Sequence, residues 1–231
     1  MRKTFAITGN VKRFLTGMDV VEAPVKGRVG MALVYGEPGT GKTEMAQKFA
    51  ADNDYPYIRA TDIMSRRSLL SKIVAELGEA PSYRGDDLFN QAVEQLLERP
   101  RTLIIDEVDY LTRGGMVEVL RDLNDITNVP VVLVGMHHVD KKLKRYRHLW
   151  DRFSAVVRFQ TFEVEDIGQL AEQICEVPIS EAGIKFIFER GSGKFRRTMV
   201  WFSRAEQLAK RNNLELVDVE HLQAVKGGGA Q

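Results

Sequence analysis

The sequence predicts an α/β fold built on a parallel five-stranded sheet and followed by a small all-helical region. Five short runs rich in β-branched and other apolar residues alternate with longer stretches of helical periodicity. Near-continuous apolar strands separated by helices are typical of a parallel sheet covered on both faces. After Phe162 the strand-like runs stop, and only helical patterns follow.

The order of the elements predicts a two-part organisation. Ser180 and Asp218 are predicted helix N-caps, and Gly191 suits a helix end. We therefore expect an N-terminal segment over 1–28, an α/β core over 29–162, a helical lid domain over 163–226 and a flexible tail over 227–231. The predicted strands are MALVYG (31–36), YPYIRA (55–60), TLIIDE (102–107), VPVVLVG (129–135) and AVVRFQTF (155–162).

Composition excludes several classes of protein. The 231 residues are 44% hydrophobic and 28% charged, enough for one sizeable core, or for one core with a small appended domain. The formal net charge of +1 means that any nucleic-acid binding depends on local patches. Cys175 is the only cysteine, so an intrachain disulfide is impossible. No stretch approaches the roughly 18 apolar residues of a membrane span, and we expect a cytoplasmic protein without a membrane partner.

Residues 36–43 read GEPGTGKT and match the phosphate-binding pattern G-x-x-x-x-G-K-T in full. Glycines let backbone N–H groups point at phosphate oxygens, and the following helix presents its positive end to the anion. We expect Lys42 to reach the β- and γ-phosphates and the Thr43 hydroxyl to bind Mg²⁺. The predicted nucleotide contacts of this loop are Gly36, Glu37, Pro38, Gly39, Thr40, Gly41, Lys42 and Thr43.

LIIDE places Asp106 and Glu107 at the C-terminal end of the predicted third strand. In an open parallel sheet this is the edge where ligands bind. We expect Asp106 to contact the nucleotide site and hold Mg²⁺, and Glu107 to polarise the water that attacks the γ-phosphate. A carboxylate beside the metal ligand favours hydrolysis over a small-molecule kinase reaction. The sequence has no convincing N-K-x-D guanine motif, which favours ATP over GTP.

A second glycine-rich stretch, GSGK at 191–194, fails the same pattern. Position 188 is Phe instead of Gly, and position 195 is Phe instead of Ser or Thr. The stretch also follows a helical segment and not a strand. The sequence therefore predicts one nucleotide site.

The phosphate loop, LIIDE, a fourth strand, a downstream arginine and a helical lid together resemble the AAA+ ATPases over about residues 25–225. The resemblance implies rings or filaments in which ATP lies between neighbouring subunits. It also implies a catalytic arginine finger, for which Arg152 in HLWDRF is the candidate ahead of Arg147 and Arg145. The family's lid arginine corresponds to Arg196 in GKFRR, with Arg197 as the alternative.

This resemblance gives GSGK a second interpretation, as the turn that aims the lid arginine at the phosphates. One position departs from the family pattern. The fourth strand normally ends in a polar sensor residue, but VLVGMHHV places Met136 there, and His137 is the substitute that would contact the nucleotide. The departure predicts slow hydrolysis, which suits a switch better than a motor.

Within that family, VPVVLVGMHHVDKKL and GKFRRTMVWFSRA resemble the DNA-transposition ATPases of the phage Mu B type. The resemblance implies a protein that binds double-stranded DNA when loaded with ATP, polymerises along it, and recruits and stimulates a transposase. Only about thirty residues precede the core, so we expect the ATPase core itself to bind DNA.

Clusters of basic residues follow the predicted second, third and fourth strands. Such residues neutralise phosphates without reading bases, which gives sequence-independent and salt-sensitive binding. Basic runs are also common on solvated helix faces and subunit contacts, and that alternative stays open for KKLKRYRH. The predicted DNA contacts are Arg66, Arg67, Arg113, Lys141, Lys142 and Lys144.

Two alternative functions share the ATPase chemistry. A helicase loader or replication initiator would use a helicase as its partner. A nucleotide-switched scaffold would self-associate with ATP and show no response to DNA. A peptide-remodelling ATPase is disfavoured, because ATDIMSRRS lacks the aromatic residue that such machines favour in the channel loop.

Overall fold

A computed structural model describes residues 1–2, 5–23 and 30–224. The predicted tail at 227–231 lies outside the described residues. The chain divides into two compact units. The α/β unit comprises Arg13–Glu37 and Lys42–Phe159, and the helical unit comprises Met1–Lys12, Pro38–Gly41 and Gln160–Gln231 as far as they are described.

The α/β unit is built on a five-stranded parallel sheet in the order β2-β3-β4-β1-β5. The central strands are buried along their length, as their continuous apolar runs predicted. Leu33 pairs with Leu133, and Leu133 pairs with Ile105, so one fully buried row crosses the three central strands. The strands are β1 (Met31–Gly36), β2 (Tyr57–Arg59), β3 (Leu103–Asp106), β4 (Val131–Met136) and β5 (Phe153–Phe159).

Helices connect these strands, which confirms the predicted fold class. None of the helices within the described ranges combines the length and apolar character that a membrane crossing requires. The connecting helices are α2 (Lys42–Asn53), α3 (Arg66–Leu77), α4 (Gly85–Glu98), α5 (Met116–Thr127), α6 (Val139–Leu143) and α7 (Arg147–Trp150), with a 3-10 helix at Val108–Thr112.

One helix had no counterpart in the sequence analysis. Helix α1 (Gly9–Glu22) lies inside the predicted N-terminal segment. In the α/β unit its Phe14 is fully buried and makes edge-to-face contacts with Phe49 at 5.3 Å and Phe159 at 6.4 Å between ring centroids. Such pairs add to the stabilisation that burial of the ring provides. The residues of α1 therefore contribute to the core.

The helical unit contains α8 (Val164–Ile174), α9 (Glu181–Gly191), α10 (Phe195–Asn212) and α11 (Val219–Gln223). Both predicted N-caps are confirmed, because Ser180 accepts a hydrogen bond from the Gly183 N–H and Asp218 accepts one from the Val219 N–H. Helix α9 ends at Gly191, as predicted. Its core is assembled around the fully buried side chains Ile167, Leu170, Ile187, Phe202 and Leu222.

Candidate nucleotide site

The phosphate loop joins the end of β1 to the start of α2, in the strand–loop–helix context that its sequence requires. A side chain at Gly36 would collide with the backbone carbonyl of Phe159 on β5, so only glycine fits there. Gly41 has a φ of +92°, in the left-handed region that favours glycine. These two glycines hold the turn that presents Lys42 at the first position of α2.

Lys42 is buried, and its ammonium donates hydrogen bonds to the carbonyl oxygens of Gly36 and Glu37, both at 2.8 Å. Burial lowers the pKa of Lys42 below its ordinary value, while the charges of Asp106 and Glu107 act in the opposite direction. These hydrogen bonds hold the ammonium inside the loop, where it interacts electrostatically with both acidic residues.

Asp106 ends β3 and is almost completely buried, with 2% of its surface exposed. Its Oδ1 accepts a hydrogen bond from the Glu107 N–H at 2.8 Å, and its Oδ2 accepts one from the Tyr57 hydroxyl at 2.7 Å. Each carboxylate oxygen keeps a further lone pair. These donors hold the carboxyl plane in one orientation.

The residues present fit the Mg²⁺ ion that the sequence predicts. Mg²⁺ prefers oxygen ligands and is usually held by one or two carboxylates together with waters and substrate phosphates. Asp106 supplies a buried carboxylate, and Thr43 supplies a hydroxyl in the first turn of α2. Within the described residues, no group of three or more His, Cys, Asp or Glu side chains would hold a metal alone.

Glu107 lies directly after β3 in the left-handed conformation, with φ 57° and ψ 38°. A non-glycine residue in this region is uncommon, and such residues cluster at functional sites. Its carboxylate forms an ion pair with Arg59 of β2, with 3.3 Å between Oε1 and Nη2. The carboxylate of the predicted general base is thus engaged by a cation from the neighbouring strand.

The end of β4 carries the predicted sensor position. Met136 is 40% exposed, and its backbone N–H donates to Asp109 Oδ2 at 2.6 Å. The ring centroids of His137 and His138 lie 3.6 Å apart with the ring planes tilted by 51°, and His137 Nδ1 lies 3.8 Å from Glu37 Oε1 of the phosphate loop. The structure therefore places His137 beside a residue of the loop.

Within the helical unit, the start of α10 contacts the middle of the phosphate loop. The Arg196 N–H donates to the Gly39 carbonyl at 3.4 Å, and a side chain at Gly41 would lie 3.7 Å from the Phe195 ring. Residues 192–194 form the turn between α9 and α10, where Gly193 has a φ of +63°. Arg196 thus contacts the loop through its backbone N–H, and the role of its side chain toward the phosphates stays a prediction.

The AAA domain family matches residues 26–143, just over half of the chain and the part that contains the phosphate loop, Asp106 and Glu107. The chain belongs to the AAA domain family. The resemblance to the AAA+ ATPases is confirmed. Membership supports ATP binding and hydrolysis as the general chemistry of this site.

Relatives of this AAA protein include proteins of DNA transposition and replication. It is 32% identical over 140 residues to the ATP-dependent target DNA activator B of Escherichia phage Mu, covering 58% of this chain and 43% of the relative. It is 28% identical over 178 residues to the replication factor C large subunit of Methanothrix thermoacetophila, covering 73% of this chain and 34% of the relative. The chain therefore spans between a third and a half of these curated relatives.

The fold is shared with a solved DNA complex. The Aeropyrum pernix ORC1 protein in complex with DNA superposes with a TM-score of 0.68 at 18% identity, covering 95% of this chain and 65% of that one. At this identity the likeness shows the fold alone.

The candidate arginine finger of this AAA protein lies just before β5. The Arg152 guanidinium forms two hydrogen bonds with the Asp125 carboxylate of α5, at 2.6 and 3.1 Å. Arg152 is 39% exposed on its side chain, so one face of the pair meets solvent. The runners-up Arg145 and Arg147 are exposed.

Two of the predicted DNA contacts are ordered at the start of α3. Arg66 and Arg67 are the first two residues of this helix. Arg66 donates to the Gly114 carbonyl at 2.6 Å, and the Arg67 guanidinium lies 4.7 Å from the Tyr83 ring centroid. Both remain exposed.

The other predicted DNA contacts are also exposed, and two have partners inside the chain. Lys142 pairs with Asp109 at 3.4 Å. Lys144 lies 3.8 Å from Asp140 and 5.0 Å from the Trp150 ring centroid. Arg113 and Lys141 are exposed.

Tyr57 and Arg59, which contact the two acidic residues of the site, were not predicted from the sequence. Both lie on β2, which pairs with β3 in a register that places Arg59 opposite Asp106. Residues two apart on a strand share a face. The alternation in YPYIRA was the available signal, but it required knowing that β2 and β3 are neighbours.

Proposed function

We propose that this AAA protein is an ATP-dependent, sequence-nonspecific DNA-binding ATPase that oligomerises on target DNA and recruits and stimulates a transposase in a bacterial or phage-infected cytoplasm. The observation that carries the proposal is the coincidence of a nucleotide site with 32% identity to a phage target DNA activator whose name states its dependence on ATP. The chain is short relative to that protein, so the partners are part of the proposal.

The proposed nucleotide binding and hydrolysis depend on residues at the ends of β1 and β3. Lys42 would bind the β- and γ-phosphates, and Thr43 and Asp106 would hold Mg²⁺, which supplies charge neutralisation at the phosphates. Glu107 would orient and polarise the attacking water. Its position directly after Asp106 puts the general base beside the metal ligand.

In the proposed assembly, two arginines contact the phosphates. Arg152 would leave Asp125 and reach the γ-phosphate held by a neighbouring subunit, so that ATP bridges the two chains. Arg196 would act on the phosphates of its own loop, which its backbone already contacts at Gly39. Hydrolysis would then loosen the contact between subunits and release the DNA.

The proposed DNA binding depends on exposed arginines and lysines that follow the strands. Arg66, Arg67 and Arg113 follow β2 and β3 on the carboxyl edge of the sheet. They are suited to phosphate contacts, because a guanidinium group can bind two phosphate oxygens at once, and contacts to phosphates carry no sequence information. We expect the duplex to be held through its backbone.

The proposal is tested by binding to a labelled random-sequence duplex with ATP, ADP or no nucleotide. We expect tight, cooperative and salt-sensitive binding with ATP only, and its loss in Lys42→Ala. The matched control is Lys48→Ala on the same helix, where Lys48 pairs with Asp52. Absence of DNA binding in every nucleotide state would overturn the transposition function. ATP-dependent self-association without any effect of DNA would then indicate the scaffold.

A replication function is the second candidate, favoured by the 28% identity to a replication factor C large subunit over 73% of this chain. A helicase loader or initiator would use the same nucleotide site with a different protein partner. The two are separated by measuring strand transfer by a purified transposase, with and without this protein and ATP. Stimulation of strand transfer supports the transposition function. If strand transfer is not stimulated and the protein loads a helicase, the replication function replaces the transposition function.

A further inference from the structure

Tyr57 makes a short hydrogen bond to the carboxylate that ends β3. Its hydroxyl donates to Asp106 Oδ2 at 2.7 Å, while the Glu107 N–H donates to Oδ1 at 2.8 Å. One donor comes from the neighbouring strand and the other from the following peptide. Together they fix the carboxyl group against rotation about its terminal torsion, which is otherwise broad.

A second contact links Tyr57 to the helix that follows the phosphate loop. Gln47 Nε2 lies 3.5 Å from the Tyr57 hydroxyl, at the outer limit of a hydrogen bond. Gln47 is one turn along α2 from Thr43. Tyr57 therefore lies between the strand that carries Asp106 and the helix that carries Thr43, the two predicted Mg²⁺ ligands.

The hydroxyl of Tyr57 is kept as a donor by its surroundings. Burial, followed by the hydrogen bond to Asp106, raises the pKa of Tyr57 well above its ordinary value. The geometry gives the same direction, because the phenol hydroxyl lies 2.7 Å from Asp106 Oδ2 and a carboxylate oxygen is the acceptor.

We infer that Tyr57 is a positioning residue that orients Asp106 for a divalent cation, and that it favours Mg²⁺ over Ca²⁺. Mg²⁺ demands near-ideal octahedral geometry, whereas Ca²⁺ accepts irregular coordination. A carboxylate that rotates freely therefore loses more affinity for Mg²⁺ than for Ca²⁺. Removing an outer partner of a metal ligand lowers metal affinity by about 10- to 100-fold. The inference rests on the proposed ATPase function.

The experiment measures binding of a fluorescent ATP analogue while Mg²⁺ or Ca²⁺ is titrated. A separate measurement in EDTA gives the metal-free affinity. For Tyr57→Phe we expect unchanged metal-free affinity, a Mg²⁺ midpoint raised by about 10-fold and a Ca²⁺ midpoint that rises much less. Tyr55→Phe is the matched control, because Tyr55 precedes the same strand but interacts with Thr102 and Glu22. It should shift neither midpoint.

A double-mutant cycle separates positioning from a purely structural role. In an Asp106→Ala background, Tyr57→Phe should cause no further change in the Mg²⁺ midpoint, because its effect passes through the missing carboxylate. Thermal unfolding of each variant shows whether it folds.

Three results would overturn the inference. They are an unchanged Mg²⁺ midpoint in Tyr57→Phe, an equal shift for both cations, and an additive shift in the double mutant. If the wild-type protein binds no nucleotide, the ATPase proposal fails together with this inference. Nucleotide binding by the wild type with an unaffected Tyr57→Phe removes this inference alone.

Discussion

Arg59 and Glu107 form an ion pair across neighbouring strands, with 3.3 Å between the guanidinium and the carboxylate. Arg59 is 63% exposed, so the pair contributes little to stability, because water screens the interaction. Its consequence is chemical. The guanidinium occupies one side of the carboxylate that is expected to orient the attacking water.

We predict that Arg59→Ala raises the ATP hydrolysis rate in the absence of DNA by several-fold, because the Glu107 carboxylate is released to bind water. The free energy of unfolding should stay within about 0.5 kcal/mol of wild type, as for most exposed surface substitutions. Steady-state phosphate release measures the rate. Arg99→Ala, which removes an exposed ion pair with Asp54, is the control and should leave the rate unchanged. A lower rate in Arg59→Ala would contradict the prediction.

Glu107→Gln should bind ATP normally and hydrolyse it at least about 100-fold more slowly, since an amide cannot accept the proton of the attacking water. The ATP-bound oligomer should then persist on DNA. Dissociation of the variant from a labelled duplex, followed after dilution into ADP-free buffer, gives the lifetime. A lifetime no longer than that of the wild type would argue against an ATP-driven switch.

Arg152→Ala should reduce hydrolysis by about 1,000-fold, the lower end of the effect of an arginine finger, while the affinity of a single chain for ATP stays unchanged. Mixing Arg152→Ala with Glu107→Gln should restore part of the activity, because some interfaces then combine an intact Arg152 with an intact Glu107. Arg121→Ala is the matched control, since Arg121 pairs with Glu118 and Asp122 on α5. Failure of the mixture to regain activity would count against a shared site.

Substitution of Arg66 or Arg67 by Gln should weaken DNA binding to all sequences equally and reduce the salt dependence of log affinity by about one counterion each. Both side chains are exposed at the start of α3, which suits contacts with the backbone. Binding measured at several salt concentrations gives the slope. Arg190→Gln, in the helical unit beside Phe186, serves as the control. An unchanged slope in both Arg66 and Arg67 variants would exclude them as phosphate contacts.

Cys175 predicts a pH dependence of stability. Burial raises the pKa of its thiol from 9.0 to about 12. Above pH 9 the unfolded chain loses this proton while the folded chain keeps it, so the free energy of unfolding falls by about 1.4 kcal/mol per pH unit until the folded pKa is reached. Cys175→Ala should lack this component. Urea unfolding of the wild type and Cys175→Ala at pH 8, 9 and 10 measures this component. If the free energies of unfolding of the two proteins fall in parallel with pH, Cys175 is not its source.

The phosphate loop and LIIDE were predictable from the sequence because their chemistry is local. Gly36, Gly41 and Lys42 act through the backbone of one short loop, and Asp106 and Glu107 are adjacent in the chain. The three central strands were also predictable, since a strand buried on both faces requires a continuous apolar run. The edge strands β2 and β5 are only partly buried, and their β-rich composition predicted them. The boundaries differed by a few residues, as at β2, which is shorter than the run YPYIRA.

The partners of these residues were not predictable, because strand order decides them. Tyr57 and Arg59 reach Asp106 and Glu107 only because β2 lies next to β3 in the sheet. Helix α1 was missed because its apolar positions gain their stabilisation from distant side chains, such as the contact of Phe14 with the ring of Phe49.

The sequence by itself determined the fold class, the single phosphate loop and the acidic pair, since spacing along the chain defines each of them. The tertiary structure decided which side chains surround that pair. Contacts between strands depend on the order of the sheet, which no local pattern encodes. That is why the groups that orient Asp106 and engage Glu107 became visible only in the folded protein.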